Sequence, residues 1–132
     1  MAAIRGSDTK PELLLRSALW RAGVRGWRCH WRGPGGRIDI AFTRWKLAVL
    51  VDGAFWHGHP SKWQSGRWSG YWDEKIKRNL ARDAAQNKAL ADADWEVLRV
   101  WDFEIEHDPD AVASTVATTL AARRAPQAEP QP

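Results

Sequence analysis

Cysteine and long apolar runs are the scarcest features of this sequence. One cysteine, Cys29, stands among 132 residues, so no internal disulfide can form, and a zinc site built on two or more thiolates is excluded. No apolar run reaches the roughly 18 residues of a membrane helix, and the first residues lack the apolar stretch of a secretory signal. We therefore expect a cytoplasmic protein without a membrane segment.

Tryptophan, by contrast, is unusually abundant. The chain holds ten tryptophans, with 20 Lys and Arg against 16 Asp and Glu, a net charge of +4. The core of one small domain has little room for ten indole rings, and aromatic rings exposed among basic residues can stack on nucleic-acid bases. A compositional bias toward tryptophan and arginine explains the same excess equally well. The modest positive charge favours a polyanionic partner only weakly.

The apolar pattern predicts a single domain over residues 9–124, with a basic arm at 1–8 and a disordered tail at 125–132. The predicted elements are helix 10–22, strands 27–31, 37–42 and 47–51, helix 71–93, strand 95–101 and helix 109–124. The third strand is an uninterrupted apolar run, typical of a central strand buried on both faces. Two hairpin connections followed by one helical crossover predict an α/β fold, a mixed β-sheet with helices on both faces.

Two details of the helices and one loop are also predicted. Thr9 and Glu12 have the spacing of a capping box at the start of the first helix. The second helix is expected to face the sheet with an apolar stripe, formed by Trp72, Ile76, Leu80, Ala84 and Ala91. The preceding loop, 53–70, is long enough to suggest a function, and Trp63 and Trp68 favour order within it.

Three carboxylates near the ends of predicted elements are candidate site residues. Asp39 lies between two isoleucines of the second strand, which is unusual for a solvent-facing aspartate. Asp52 either provides a metal ligand or starts a turn, and Glu12 is either part of the site or only a helix cap. If the hairpin pairs residues near 39 with residues near 50, Asp39 and Asp52 meet at one end of the sheet. Clustered carboxylate oxygens there suit a hard cation such as Mg²⁺.

Histidines provide the second group of candidates. His57 and His59 follow an aromatic pair in the long loop, and a histidine near a phosphate can act as general acid or base because its pKa lies near neutrality. Two histidines two residues apart also occur as transition-metal ligands, but a thiolate or a third histidine is missing nearby. We assign no role to His30 or His107.

Several motifs, in order, resemble the very short patch repair (Vsr) family of DNA endonucleases. They are IRGSDTKPE at 4–12, the glycine-rich turn leading into RIDI at 37–40, VDGAFWHGH at 51–59, YWDEKI at 71–76 and WEVLRVW at 95–101. The resemblance implies a restriction-endonuclease-like core with the element order αβββαβ. It also implies nicking of duplex DNA beside a T:G mismatch, with Mg²⁺ as the cofactor and Mn²⁺ as a substitute.

Carried over by position, the resemblance assigns roles to individual residues. Asp39 becomes the metal-binding aspartate, His57 the catalytic histidine beside the scissile phosphate, and Glu12 the acidic residue that supports the water bound to the metal. Three aromatic residues become the wedge that enters the duplex at the mismatch, namely Phe55, Trp56 and Trp72. The basic residues of the second helix are interpreted as DNA contacts, namely Lys75, Arg78 and Arg82.

The chain also departs from the family pattern at two places. Asp52 stands where members usually carry a histidine, and an aspartate there can add a metal ligand. Members also usually hold a structural zinc, but the three cysteine positions are occupied here by Ala54, Ser61 and Phe103, and only His59 remains of its ligands. We therefore expect no zinc.

These observations lead to one expected function and three alternatives. We expect a monomeric, nucleoid-associated enzyme that binds double-stranded DNA, with partner repair proteins left open. A restriction-like or defence-associated nuclease without mismatch specificity is the first alternative. A DNA-binding protein without catalysis is the second, and a membrane or protein-interaction module using exposed tryptophans is the third, although no basic amphipathic helix with a clean tryptophan face supports it.

Overall fold

The described helices and strands follow one another in the predicted order, with one short helix added before the last helix. The computed structural model describes residues 8–54 and 70–125. Its elements are α1 (Lys10–Arg21), β1 (Arg28–Gly33), β2 (Gly36–Phe42), β3 (Leu47–Asp52), α2 (Gly70–Asp92), β4 (Glu96–Trp101), α3 (Asp102–His107) and α4 (Pro109–Arg124). Every predicted element is present, and only the six-residue α3 was not predicted, because so short a helix has too few residues to show a period.

Much of the predicted arm, loop and tail lies outside the described residues. These residues are 1–7, 55–69 and 126–132. The predicted domain limits, and the predicted packing of Trp63 and Trp68 in the loop, therefore stay predictions. Within the two described ranges, no helix is long and apolar enough to cross a membrane.

The four strands form one mixed sheet in the order β1-β2-β3-β4. The pairs β1–β2 and β2–β3 are antiparallel, whereas β3 and β4 are parallel and run in register from Leu47↔Glu96 to Asp52↔Trp101. Helix α2 makes the crossover between these parallel strands, as a parallel pair requires. The prediction of a mixed sheet is confirmed, with β3 in its interior.

Helices pack on both faces of the sheet, as predicted. On one face, α1, α3 and α4 bury apolar side chains against β2, β3 and β4, including Leu15, Leu19, Ile105 and Val116. On the other face, Leu90 of α2 packs in a smaller cluster with Ile38, Ala41, Ala48, Leu50 and Trp95. The apolar run of β3 contributes to both clusters, which explains why it lacks the alternation of a half-exposed strand.

The predicted apolar stripe of α2 is wrong over most of its length. Ile76 is buried and Trp72 is half-buried, but Leu80, Ala84 and Ala91 are exposed. The side of α2 that faces the sheet instead carries polar residues in its middle, namely Asn79, Asp83 and Gln86, before Leu90 closes the stripe. The prediction from apolar spacing failed because part of the inward face of α2 lines a polar cleft and therefore carries polar residues.

The predicted capping box at α1 is also wrong. Thr9 is the N-cap residue, but its side chain makes no capping hydrogen bond. Glu12 accepts a hydrogen bond from the backbone N–H of Asp8 at 3.1 Å, one residue before the expected donor. Asp8 has a φ of 55°, in the left-handed region of the backbone. In this conformation its N–H donates the hydrogen bond to Glu12.

Most of the described tryptophans are packing residues. Trp95 is buried and stacks on Trp31 with ring centroids 5.3 Å apart, while Trp27 meets Phe42 edge-on. Among the seven described tryptophans only Trp20 is exposed, and the Arg25 guanidinium covers its ring at 3.2 Å. The abundance of tryptophan in this part of the chain therefore reflects packing more than a free stacking surface.

Candidate active site

An open cleft of about 640 Å³ lies where β3 ends and α2 passes over the sheet. Residues from six elements line it, and the polar ones include Glu12, Arg37, Asp39, Asp52, Asn79, Arg82, Asp83, Gln86, Arg99 and Asp102. All three predicted carboxylates are therefore in the same cleft. The hairpin register, with Ile40 opposite Val49, brings Asp39 and Asp52 to the same end of the sheet as expected.

Asp39 is a largely buried carboxylate that the backbone orients. Its side chain is 14% exposed, and its Oδ2 accepts the Val51 N–H at 2.8 Å. Burial raises the pKa of Asp39, and the Val51 hydrogen bond and the charge of Arg37 oppose that rise. The Arg37 guanidinium lies 3.6 Å from the other carboxylate oxygen. Asp39 is thus held rigidly, with fewer water molecules around its charge than an exposed aspartate has.

Glu12 is brought to the same cleft by the first turn of α1. It is only 5% exposed. Burial raises the pKa of Glu12, and the negative charge of Asp39 raises it further. Glu12 and Asp39 are therefore close enough to repel each other, which two carboxylates of a shared site do.

His30 lies beside Glu12, although the sequence indicated no role for it. Its Nε2 is 3.6 Å from Glu12 Oε2 and 3.2 Å from Asp8 Oδ1. Ligand atoms of Asp8, Glu12 and His30 lie within 4.8 Å of one another. Arg16 also donates to Asp8 at 2.7 Å, so this cluster already contains its own cation. His30 is better described as a neighbour of the acidic site than as an incidental residue.

Asp52 forms a buried ion pair with Arg99. The side chain of Asp52 is 9% exposed, and its Oδ1 accepts from Arg99 Nη1 at 2.9 Å. The same guanidinium nitrogen is 3.6 Å from Asp83 Oδ1. A buried, paired aspartate does more than start a turn, and the role of Asp52 as a metal ligand stays a prediction.

The predicted DNA contacts divide into described and undescribed residues. On α2, Arg78 and Arg82 are exposed, Lys75 and Trp72 are half-buried, and Arg82 also lines the cleft. The aromatic wedge residues Phe55 and Trp56, and the histidines His57 and His59, lie outside the described residues. Their roles therefore stay predictions.

The donor set of the cleft fits a hard divalent cation. Glu12 and Asp39 place two carboxylates where burial already disfavours their charge, and a bound cation would compensate that charge. Mg²⁺ and Mn²⁺ prefer such oxygen ligands. Asp39, with its backbone-oriented carboxylate, is the residue best placed to hold the ion, and Asp52 faces the same cleft.

Comparison with known proteins gives the family. A family model described as "DNA mismatch endonuclease Vsr" matches residues 1–63. The type II nicking enzyme V.NaeI of Lentzea aerocolonigenes is 44% identical over 126 residues, 89% of this chain and 73% of that protein. V.HpaIIP of Haemophilus parainfluenzae is 32% identical, over 92% of this chain and 88% of its own length. This chain belongs to the Vsr family.

The Vsr protein of Escherichia coli K12 is 32% identical over 77% of this chain and 66% of its own length. Membership confirms the resemblance predicted from the motifs, and the protein is a DNA endonuclease, a hydrolase of phosphodiester bonds. The catalytic domain of the homing endonuclease I-Bth0305I is similar in structure, with a TM-score of 0.55 and 20% identity over 89% of this chain and all of that domain. The restriction-endonuclease-like fold is therefore confirmed, and nucleases with this fold typically depend on a divalent metal ion.

Sequence reasoning missed Arg99 and Gln86, which hold the cleft together. Arg99 could have been noticed, because it is the one charged residue within the apolar run Val97-Leu98-Arg99-Val100. A charged side chain inside such a strand is stable only with a partner. Gln86 gave no comparable signal, since glutamine is common on the exposed faces of helices.

Proposed function

We propose that this endonuclease nicks one strand of duplex DNA beside a T:G mismatch, with Mg²⁺ held by Asp39 and with Mn²⁺ as a substitute. The observation that carries the proposal is the pair of buried carboxylates, Glu12 and Asp39, in a cleft beside the basic residues of α2. The Escherichia coli relative is named a DNA mismatch endonuclease, which supports the mismatch as the target.

The residues of the cleft divide the chemistry among them. Mg²⁺ bound at Asp39 would activate the attacking water and offset the charge of the leaving oxygen. The Val51 N–H keeps the Asp39 carboxylate in one orientation, so little reorganisation is needed when the phosphate arrives. Glu12, with its raised pKa, would orient that water and accept its proton. His57 is the proposed catalytic histidine beside the scissile phosphate.

Helix α2 supplies the proposed DNA contacts. Arg78 and Arg82 are exposed, and Arg82 reaches the rim of the cleft, so this helix can bind phosphates on either side of the cut. Trp72 lies in the first turn of the same helix. With Phe55 and Trp56 it would form a wedge that unstacks the mismatched step, which is easier to open than a matched one.

A second candidate function is nicking without mismatch specificity. Relatives such as V.NaeI and V.HpaIIP are named type II nicking enzymes, and these names mention no mismatch. In either case we propose a cytoplasmic, nucleoid-associated monomer that acts on double-stranded DNA.

The test is a nicking assay with two duplexes that differ at one base pair. One carries a T:G mismatch and the other is fully matched, and each is incubated with Mg²⁺, with Mn²⁺ and with a chelator. Metal-dependent cutting of one strand of the mismatched duplex supports the proposal. Equal cutting of both duplexes would retain the endonuclease and remove the mismatch. Cutting in the chelator would contradict the metal site.

A further inference from the structure

We infer that Arg99 is a positioning residue of this site, which holds Asp52 facing the metal and ties β3 and α2 to the strand that carries Asp39. The inference rests on the proposed function, because it assigns a role within the same cleft. In this role Arg99 acts through the residues it holds, and no direct contact with metal or DNA is assigned to it.

Hydrogen bonds to the Arg99 guanidinium carry the argument. Its Nε donates to Asn87 Oδ1 at 2.8 Å, its Nη1 to Asp52 Oδ1 at 2.9 Å and its Nη2 to Gln86 Oε1 at 2.9 Å. All three nitrogens of the planar fork are used, and the side chain is 19% exposed. A lysine could not satisfy three acceptors in these fixed directions.

The network continues from α2 to β2. Gln86, held by Arg99, donates from Nε2 to the Arg37 carbonyl at 2.8 Å, two residues before Asp39. The helix also touches the turn before β2, since a Cβ built on Gly35 would lie 2.8 Å from Gln86 Cα. Gly35 also has a φ of +78°. Both this backbone conformation and the close approach of Gln86 favour glycine at position 35. Contacts of Gln86, which Arg99 holds, therefore determine the position of α2 against β2.

Charge gives a second reason for this role. Asp52 and Asp83 add two largely buried carboxylates, 9% and 18% exposed, to a cleft that already holds Glu12 and Asp39. Arg99 compensates the charges of Asp52 and Asp83, with its Nη1 2.9 Å and 3.6 Å from their carboxylate oxygens. Groups that hydrogen-bond to a ligating carboxylate in this way typically change metal affinity by about 10- to 100-fold when removed.

A purely structural role for Arg99 makes a different prediction. Removing one partner of a buried ion pair destabilises a protein in any case, so a lower melting temperature does not distinguish the two roles. Only a positioning role requires that the loss in metal affinity depend on Asp52. The decisive measurement is therefore a double-mutant cycle on metal binding.

The experiment titrates the full chain with Mn²⁺ alone by calorimetry and measures nicking in parallel. The variants are Arg99→Met, Arg99→Lys, Asp52→Asn and the double variant Arg99→Met with Asp52→Asn. Arg21→Met is the matched control, because Arg21 forms an exposed ion pair with Asp110 at the C-terminal end of α1. We expect Arg99→Met to weaken Mn²⁺ binding by about tenfold or more, and by less than about threefold in the Asp52→Asn background.

Arg99→Lys keeps the charge and serves if Arg99→Met does not fold. It should still lose several-fold in Mn²⁺ affinity, because it cannot hold Asp52, Gln86 and Asn87 together. An unchanged or tighter Mn²⁺ affinity in the foldable Arg99 variants, or an equal loss in the wild-type and Asp52→Asn backgrounds, would overturn the inference. A different outcome would contradict the proposed function alone. In it, the wild type binds Mn²⁺, the Arg99 variants bind it more weakly, and the wild type does not nick DNA.

Discussion

The two faces of the sheet are built on opposite principles. Against α1, α3 and α4, the sheet buries a continuous apolar core, with Leu15, Leu19 and Val116 fully enclosed. Against α2, the apolar cluster is smaller and contains Leu90, and beside it lies the network of Arg99. One face thus stabilises the fold, while the other gives up apolar burial to hold charged groups in a cleft.

Stability and activity should therefore depend on different faces of the sheet. A change in the apolar face removes packing far from the reacting atoms, so its main effect should be on the free energy of unfolding. A change in the cleft should mainly affect activity. Burial raises the pKa of both Glu12 and Asp39, so their charged forms destabilise the metal-free fold and their removal costs it little stability. Four substitutions test this separation, and their expected effects decrease in the order Asp39→Ala, Leu19→Ala, Trp72→Ala and Glu12→Gln.

The largest effect is expected from Asp39→Ala. Without the proposed metal ligand, the nicking rate should fall by about a thousandfold or more. The affinity for duplex DNA should stay within about threefold, since the proposed DNA contacts lie on α2. Nicking kinetics measure the rate, and gel-shift titrations measure the affinity for duplex DNA. Asp92→Ala is the control, because Asp92 is 66% exposed and pairs with Lys88 on the surface of α2. Full activity of Asp39→Ala would remove the central assignment.

Leu19→Ala should have the opposite signature. Leu19 is fully buried between α1 and the sheet, and its truncation should lower the free energy of unfolding by about 3 kcal/mol. At a temperature where the variant is fully folded, its nicking rate should match that of the wild type. Leu13→Ala, at a position 52% exposed, should change stability by less than about 0.5 kcal/mol. A slowed chemical step in folded Leu19→Ala would mean that the faces are not separate.

Trp72→Ala should affect specificity more than rate. If Trp72 stacks at the opened step, losing its ring should reduce the preference for the mismatched over the matched duplex by about tenfold. The ratio of kcat/KM for the two duplexes measures this preference. Trp20→Ala is the matched control, because Trp20 is an exposed tryptophan on α1. An unchanged ratio in Trp72→Ala would exclude the wedge role of this residue.

The smallest effect is expected from Glu12→Gln in the metal-free protein. Because the folded-state pKa of Glu12 is raised, the stability associated with its proton is fully present below the ordinary pKa of 4.5. That stability is lost as the pH rises through the folded-state pKa. Glutamine keeps the acceptor for the Asp8 N–H, so at neutral pH the variant should melt a few degrees higher.

Thermal melts in chelator at several pH values check the Glu12 prediction. The gain of the variant should disappear below the ordinary pKa, where wild-type Glu12 is protonated as well. The exposed Glu96, changed to Gln, provides the control. A variant that is less stable at neutral pH, or whose gain does not depend on pH, would show that the charge of Glu12 does not strain the metal-free fold.

The amino-acid sequence by itself determined the elements, the mixed sheet and the membership of the family. Apolar spacing and turn residues located seven elements, and the run Leu47 to Val51 identified the interior strand. The motifs around Glu12, Asp39 and Asp52 indicated candidate site residues through their resemblance to the family, and the structure places all three in one cleft.

Only the tertiary structure decided which polar groups meet. The inward face of α2 could not be deduced, because Asn79, Asp83 and Gln86 line a polar cleft. Asp83 and Gln86 also meet Arg99 of β4 there. Arg99 finds Asp52 47 residues away and Gln86 13 residues away, and His30 reaches Glu12 from a different element. Such contacts join charges that are distant along the chain. A local pattern reports only whether a residue is apolar or polar, whereas the identity of its partner depends on how the elements pack.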